Sequence, residues 1–341
     1  MCSSDLLKAI FQPPEPQYRC DKCASCVECK VQESMPRVTL REARDERLIR
    51  ESMYFDEEKK CFVSKLPLIL DPQQYLADNY QSAFTRYYRT VKHGKKSELE
   101  VIRKQFNMLL SNGYCSKLQD LDEETQEYIK SQVCYHIPWS VTYKSTSIST
   151  PARVVYDSSS KTESNFSLND LCAKGLNTLD NSNSVTNFFA KKLALAADFS
   201  KFYFSVRLHK SHYNLHLLLY HDSLDPNVKP DILVLHVHVF GVRSSSRLSD
   251  LAVDMISEKH KDKVHFARFM RNRHVDDITS SFDTIEQIEE VERDVKAIIP
   301  STGFKIKYLI KSGQPPPAEA STNGSIGIGG YVWRPEDDTV E

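Results

Sequence analysis

The sequence predicts an α+β fold: a helical first part, then a split-βαβ antiparallel sheet with helices on one face. Three observations lead there. Amphipathic helical patterns dominate from residue 39 to about 112. From 193 to 310, strand-prone and helical runs include the order β-α-β-β-α-β. Two of those strands end in carboxylates, at Asp198 and at Asp276-Asp277. A split-βαβ sheet sets its first strand beside the central hairpin, so the three acids are expected together.

Thr39-x-x-Glu42 reads as a capping box opening a charged helix towards Met53. The run Phe62–Leu66 looks like a short strand halted by Pro67. Within 75–91, Tyr80, Phe84, Tyr87, Tyr88 and Val91 share one helical face, a pattern more often core than a base-stacking platform. Ser97-x-x-Glu100 is expected to cap a further helix, with Leu99, Ile102, Phe106 and Leu109 inward and Asn112-Gly113 as its stop.

Strands are expected from 133. Thr142–Lys144 and Ala152–Asp157 bracket a Ser/Thr-rich turn, and Lys144 and Arg153 would point the same way. Two such cations suit an anionic ligand, though solvated surface cations fit as well. Leu193–Phe199 is an apolar run that delivers Asp198 near its end. Leu233–Phe240 reads as an additional strand, its His236 and His238 taken as core rather than as ligands. A helix follows around Arg247–Lys259. Arg273–Ile278 reads as a strand entering a tight turn, with Ile278–Phe282 returning. Asp283-x-x-Glu286 is expected to cap a helix whose Ile285, Ile288, Val291, Val295 and Ile298 point inward, and Phe304–Ile310 alternates with period 2.

Composition limits the function. Lys+Arg 45 against Asp+Glu 46 gives a net charge of -1, so nucleic acid would have to be held by local basic patches. No apolar run reaches the roughly 18 residues of a membrane span, so no membrane partner is expected. Nine cysteines without a secretory signal suggest reduced thiols in an intracellular setting. In the irregular first 36 residues, Cys20, Cys23, Cys26 and Cys29 recur every third position. They leave three readings open, a zinc knuckle, an iron–sulfur cluster and unligated thiols. A metal-binding adaptor built on them is the weakest of three function classes.

Adjacent carboxylates about 4 Å apart repel by roughly 4 kcal/mol at an effective dielectric near 20. Either they splay into water or a cation holds them. Three on a rigid sheet make a hard oxygen site for Mg²⁺ or Mn²⁺, and two such ions about 3.5–4 Å apart clamp an in-line phosphoryl displacement.

At this point the chain resembles reverse transcriptases. Asp198-x-x-x-x-Tyr203, Phe240-Gly241-Val242-x-x-Ser245 and Val275-Asp276-Asp277 stand in the order of that family's motifs. Arg153-Val154-Val155-Tyr156-Asp157, Lys161-Thr162, Ser167–Leu171 and Gly175 are similar to the polymerase region of Pao/BEL-type LTR retrotransposon polyproteins. The resemblance implies right-hand fingers and palm: 1–36 a linker, 37–130 a mainly helical segment, 131–312 fingers and palm, 313–341 a flexible tail. It implies an RNA-directed DNA polymerase that extends a primer 3′-hydroxyl with dNTPs on an RNA or DNA template. Asp198, Asp276, Asp277 and the Phe199 backbone would hold two Mg²⁺ or Mn²⁺ ions. Lys144 and Arg153 would grip the triphosphate, Tyr203 would exclude a ribose 2′-hydroxyl, and Gly241 would allow close backbone approach. His274 and Val275 would meet the primer end, and Lys305 or Lys307 the leaving pyrophosphate. Protease, RNase H and integrase would be partners in a full element, in a cytoplasmic virus-like particle or the nucleus, and the chain itself is expected to be a fragment or truncated copy.

The chain departs from the family at His274, where an aromatic is usual, and at Arg243–Arg247, where small residues are usual. A degenerate copy that binds nucleic acid without polymerising is therefore the alternative.

Overall fold

The computed structural model describes residues 18–19, 38–143, 152–176, 181–318, 320–321, 323–328 and 331–341. Lys144 and the cysteines at 20, 23, 26 and 29 lie outside them.

Helix α1 (Leu40–Ser52) opens on Thr39, whose hydroxyl accepts from Glu42 N while the Glu42 carboxylate accepts from Thr39 N, a complete capping box. The hairpin β1 (Met53–Asp56) and β2 (Cys61–Ser64) follows. Helices α2 (Tyr80–His93) and α3 (Lys96–Ser111) come next. The expected cap of α3 is two residues off: Lys95 N donates to Glu98 Oε2 at 2.8 Å, so Glu98 rather than Glu100 makes the reach-back. Gly113, at φ +62°, ends this stretch as expected. After β3 (Cys115–Lys117) and α4 (Glu123–Ser131), β4 (Trp139–Tyr143) pairs antiparallel with β5 (Ala152–Tyr156).

Helix α5 (Asn181–Phe189), not expected from the sequence, precedes β6 (Leu193–Phe199). Strand β7 (Val206–Leu208) runs parallel to β2, and β8 (Leu217–Tyr220) pairs with β9 (Asp231–Leu235). The strand expected over Leu233–Phe240 stops at Leu235, because His236 N turns to Tyr114 O and His238 N to Val206 O. Helices α6 (Ser245–Lys259) and α7 (Val264–Arg271) lead to β10 (Arg273–His274) and β11 (Asp277–Phe282). The basic run around Arg268 and Arg271 is thus mostly helix.

Helix α8 (Ile285–Ile298) begins at Thr284, not Asp283. The Asp283 carboxylate pairs with Lys191 instead, and its N–H donates to Gln287 Oε1. Ile285, expected inward, is exposed. Strand β12 (Ile306–Lys311) follows, then β13 (Ile326–Ile328), β14 (Tyr331–Arg334) and β15 (Thr339–Val340).

The central sheet has the order β10-β11-β6-β12, every neighbour antiparallel. One face of β6, with Leu195, Ala197 and Phe199, packs on α6, α7 and α8 in a core that includes Leu251, Phe269 and Val291. The other face carries Ala194 and Ala196, small enough for Phe188 of α5 and the fully buried Trp333 to lie over them. Helices therefore cover both faces. The segment expected as a flexible tail is a three-stranded sheet, β13-β14-β15, closing that second face. Helices α2 and α3 share a different core with Trp139, Tyr220 and Leu235.

Candidate active site

Strand β6 places Asp198 on the face of Ala194 and Ala196. In register, Asp198 stands opposite Asp277 of β11. Phe199 N donates to Asp276 O at 2.9 Å. That bond brackets Asp198 and Asp277 as a non-hydrogen-bonded antiparallel pair, whose Cα atoms lie about 4.5 Å apart with side chains at their nearest approach. Asp276 occupies the two-residue turn between His274 and Asp277, which pair with each other.

Val275, the other turn residue, has φ +61°. A β-branched residue there is strained, by order of 1–3 kcal/mol, where a hairpin ordinarily uses glycine or asparagine. Packing holds it. Arg273, with its side chain 6% exposed, reaches Asp250 O at 2.7 Å, Asp254 Oδ1 at 2.7 Å and Met270 O at 2.9 Å. Asp254 also binds Arg247, which forks onto Glu46 of α1. The hairpin is thus tied through α6 to the first helix.

On the other side of Asp198 the expected period-2 alternation of β12 fails. Ile306 pairs with Phe199 and Tyr308 with Asp198, leaving Lys307 as an extra residue. A bulge of this kind re-aims a side chain. Here it brings Lys307 Nζ to 3.4 Å from Asp198 Oδ2. Lys305, the other residue considered for that place, lines a different cleft.

A cleft of about 600 Å³ joins these groups with Arg153, Phe199, Tyr203, Phe240 and Gln105. Burial, and then the charge on Asp276, push the Asp198 carboxyl up to about 6 despite Lys307. Asp277 goes up to about 7, by burial first and then by Asp276 and Asp198. Its outer edge is open to the cleft although protein surrounds the carboxyl, so water screens part of that effect and the direction is what matters. Both acids resist carrying charge beside a third, the state that a cation relieves. Carboxylate oxygens on a rigid sheet suit a hard divalent ion. Yet among the described residues no three His, Cys, Asp or Glu side chains converge as a preformed metal site.

The cleft brings together Asp198, Asp276, Asp277, Phe199, Arg153 and Tyr203 of the expected residues. Tyr203 is half-buried, its ring 6.0 Å from Phe240, and the Ser246 side chain hydrogen-bonds it. His274 and Val275 flank the cleft without lining it, and His274 Nδ1 is buried without a partner. Gly241 does not line it either. At φ +103° a Cβ there would lie 2.1 Å from Tyr156 O, so the close approach that demands glycine is to the chain's own β5. Sequence reasoning missed Gln105 and Phe240. Gln105 flanks the buried stripe of α3 with no motif around it, whereas Phe240 stands in the quoted Phe-Gly-Val run and is 59% exposed, a cue for a surface role.

No protein-family model matches the chain, and no curated protein matches it. Among solved structures, the chain is similar to a foamy viral protease-reverse transcriptase in complex with an RNA/DNA hybrid, at 14% identity and a TM-score of 0.47. The match covers 70% of this chain and 26% of that one. A foamy viral protease-reverse transcriptase dRH in complex with double-stranded DNA is similar at 16% identity and a TM-score of 0.46, over 62% and 31% of the two chains. The chain thus spans about a quarter to a third of those proteins.

Among the described residues no helix is long and apolar enough to cross a membrane.

Proposed function

We propose that the chain is the fingers and palm of an RNA-directed DNA polymerase of the Pao/BEL retrotransposon type, its central sheet the split-βαβ palm. It would transfer a nucleotide from a dNTP to a primer 3′-hydroxyl on an RNA or DNA template. The observation that carries this reading is the register of Asp198 opposite Asp277, with Asp276 at the hairpin turn, in a cleft shared with Arg153, Tyr203 and Lys307.

The division of labour follows from position. Arg153, exposed on β5, offers a guanidinium fork to the triphosphate oxygens. Tyr203 and Phe240 wall the cleft where a sugar would sit, so a 2′-hydroxyl meets a ring. Lys307 offers an ammonium to charge developing on pyrophosphate, once released from Asp198. Asp198, Asp276 and Asp277, with the Phe199 backbone, are the groups that would hold Mg²⁺ or Mn²⁺. When bound, the two ions would activate the primer hydroxyl and neutralise the leaving group.

Primer extension on poly(rA)/oligo(dT) with Mg²⁺ or Mn²⁺ tests the reading. Incorporation of dTTP is expected, and its absence in both metals would favour the second reading, a chain that binds nucleic acid without polymerising. One observation favours that alternative: Lys307 already pairs with Asp198.

A further inference from the structure

Behind the acid cleft lies another of about 760 Å³, formed by the β1–β2 hairpin, the start of α3's exit loop, β7 and the chain before β12. Phe204 lines both. Five cations line the second cleft and no Asp or Glu does. Lys59 and Lys60 are partly offset by Asp56 and Glu57. Arg207 spends one nitrogen on Gly113 O. Among the described residues Lys305 makes no salt bridge, and Lys210 makes none either, although its charge acts on Asp122 and it also borders a neighbouring cleft with Glu124. Cations concentrated in a concave wall that no acid lines focus a positive potential on whatever enters.

The cleft also carries rings. Tyr114 lies between two cations, Lys201 Nζ at 5.6 Å and Arg207 at 5.6 Å from its ring, and packs on Phe204 at 5.2 Å. Across from it, Tyr54 is 47% exposed, and Tyr213 stacks on His236 at 5.0 Å. An aromatic wall beside free ammonium groups is the pairing that holds a base by its π-face and phosphates by charge. The size falls within the range of small-molecule clefts, roughly 300–1,000 Å³.

We infer that this second cleft binds a nucleoside triphosphate, its phosphates on Lys210, Lys305 and Arg207 and its base against Tyr54, separately from the acid cleft. This goes beyond the polymerase reading and does not need it, because none of the three acids takes part.

The test is titration of fluorescent mant-dATP into the full chain in EDTA, at low salt, with Asp276→Asn alongside. Saturable binding is expected without a divalent ion and unchanged in Asp276→Asn. Lys210→Glu and Tyr54→Ala, both at exposed positions, should each weaken it about tenfold or more. Thermal melting of the two variants separates loss of binding from loss of fold. Binding that vanishes in EDTA, or that ignores Lys210→Glu in a folded protein, would overturn the inference. So would pyrophosphate competing as well as dATP, since the rings would then read nothing. Binding of an oligo(dT) strand but not of mant-dATP would replace the nucleotide with a single strand and overturn it too. Failed primer extension with mant-dATP binding retained would strike the polymerase reading alone.

Discussion

The acid cleft and the buried histidines His136, His216 and His238 hold titratable groups with opposite signs. In the cleft, Asp198 and Asp277 rise to about 6 and about 7 because burial and neighbouring carboxylates penalise their charge. Away from it, burial holds His136 and His238 down to about 4, and His216 well below its ordinary value. These three are at most 3% exposed. The cleft holds charge that a ligand can relieve from outside. The histidine region holds neutral rings that nothing outside can reach. The first arrangement suits a site and the second a structural core.

The largest effect separates the two directly. An unfolded histidine takes up its proton near pH 6.5, whereas His136 and His238 do so only near pH 4 and His216 is held well below its ordinary value, so stability is full above 6.5 and falls as pH drops. His136 and His238 each contribute about 3 kcal/mol over that span, and His216 adds to them in the same direction, against a total stability of about 5–15 kcal/mol. The raised carboxyls act the other way and gain stability as pH falls from 7 to 4, but by less. The histidines win, so acid unfolding is expected between pH 6.5 and 4, followed by circular dichroism. His238→Gln should move that limb to lower pH; an unmoved limb would place the acid sensitivity elsewhere.

Next in size is Arg273, which ties the strained hairpin to Asp250 and Asp254. Removing one partner of such a buried network costs roughly 3–5 kcal/mol. Arg273→Met should lose about that much in urea unfolding, and Arg273→Lys, which keeps charge without the fork, should lose less. Equal losses in the two would remove the fork from the account.

Asp277→Asn sharpens the cleft side. It relieves like-charge repulsion, so the metal-free protein should gain about 1 kcal/mol at pH 7.5 after allowance for screening, and nothing near pH 4. Destabilisation at pH 7.5 would mean that Asp277 is held by partners rather than crowded by acids. Smallest is Tyr203→Val, expected to raise rNTP over dNTP incorporation with little change in melting temperature. Unchanged sugar selectivity would count against Tyr203 as the gate.

Much of the cleft was legible because it rests on local signals. Asp198 ends an apolar run, and Asp276-Asp277 follows a short strand-prone one, so the hairpin and the facing acids could be read from spacing. Long-range packing was not. Helix α5 is polar and short, and Trp333 gives no sign that Ala194 and Ala196 are its floor. The bulge at Lys307 breaks an alternation that the residues themselves keep. Caps slipped for a simpler reason: Glu98 competes with Glu100, and Lys191 draws Asp283 away from α8.

The most direct measurement pairs incorporation with folding in one variant. Asp276→Asn should abolish dTTP incorporation on poly(rA)/oligo(dT) in Mg²⁺ and in Mn²⁺ while melting no lower than the unsubstituted chain. Incorporation that survives the substitution would contradict the assignment of these acids to nucleotidyl transfer.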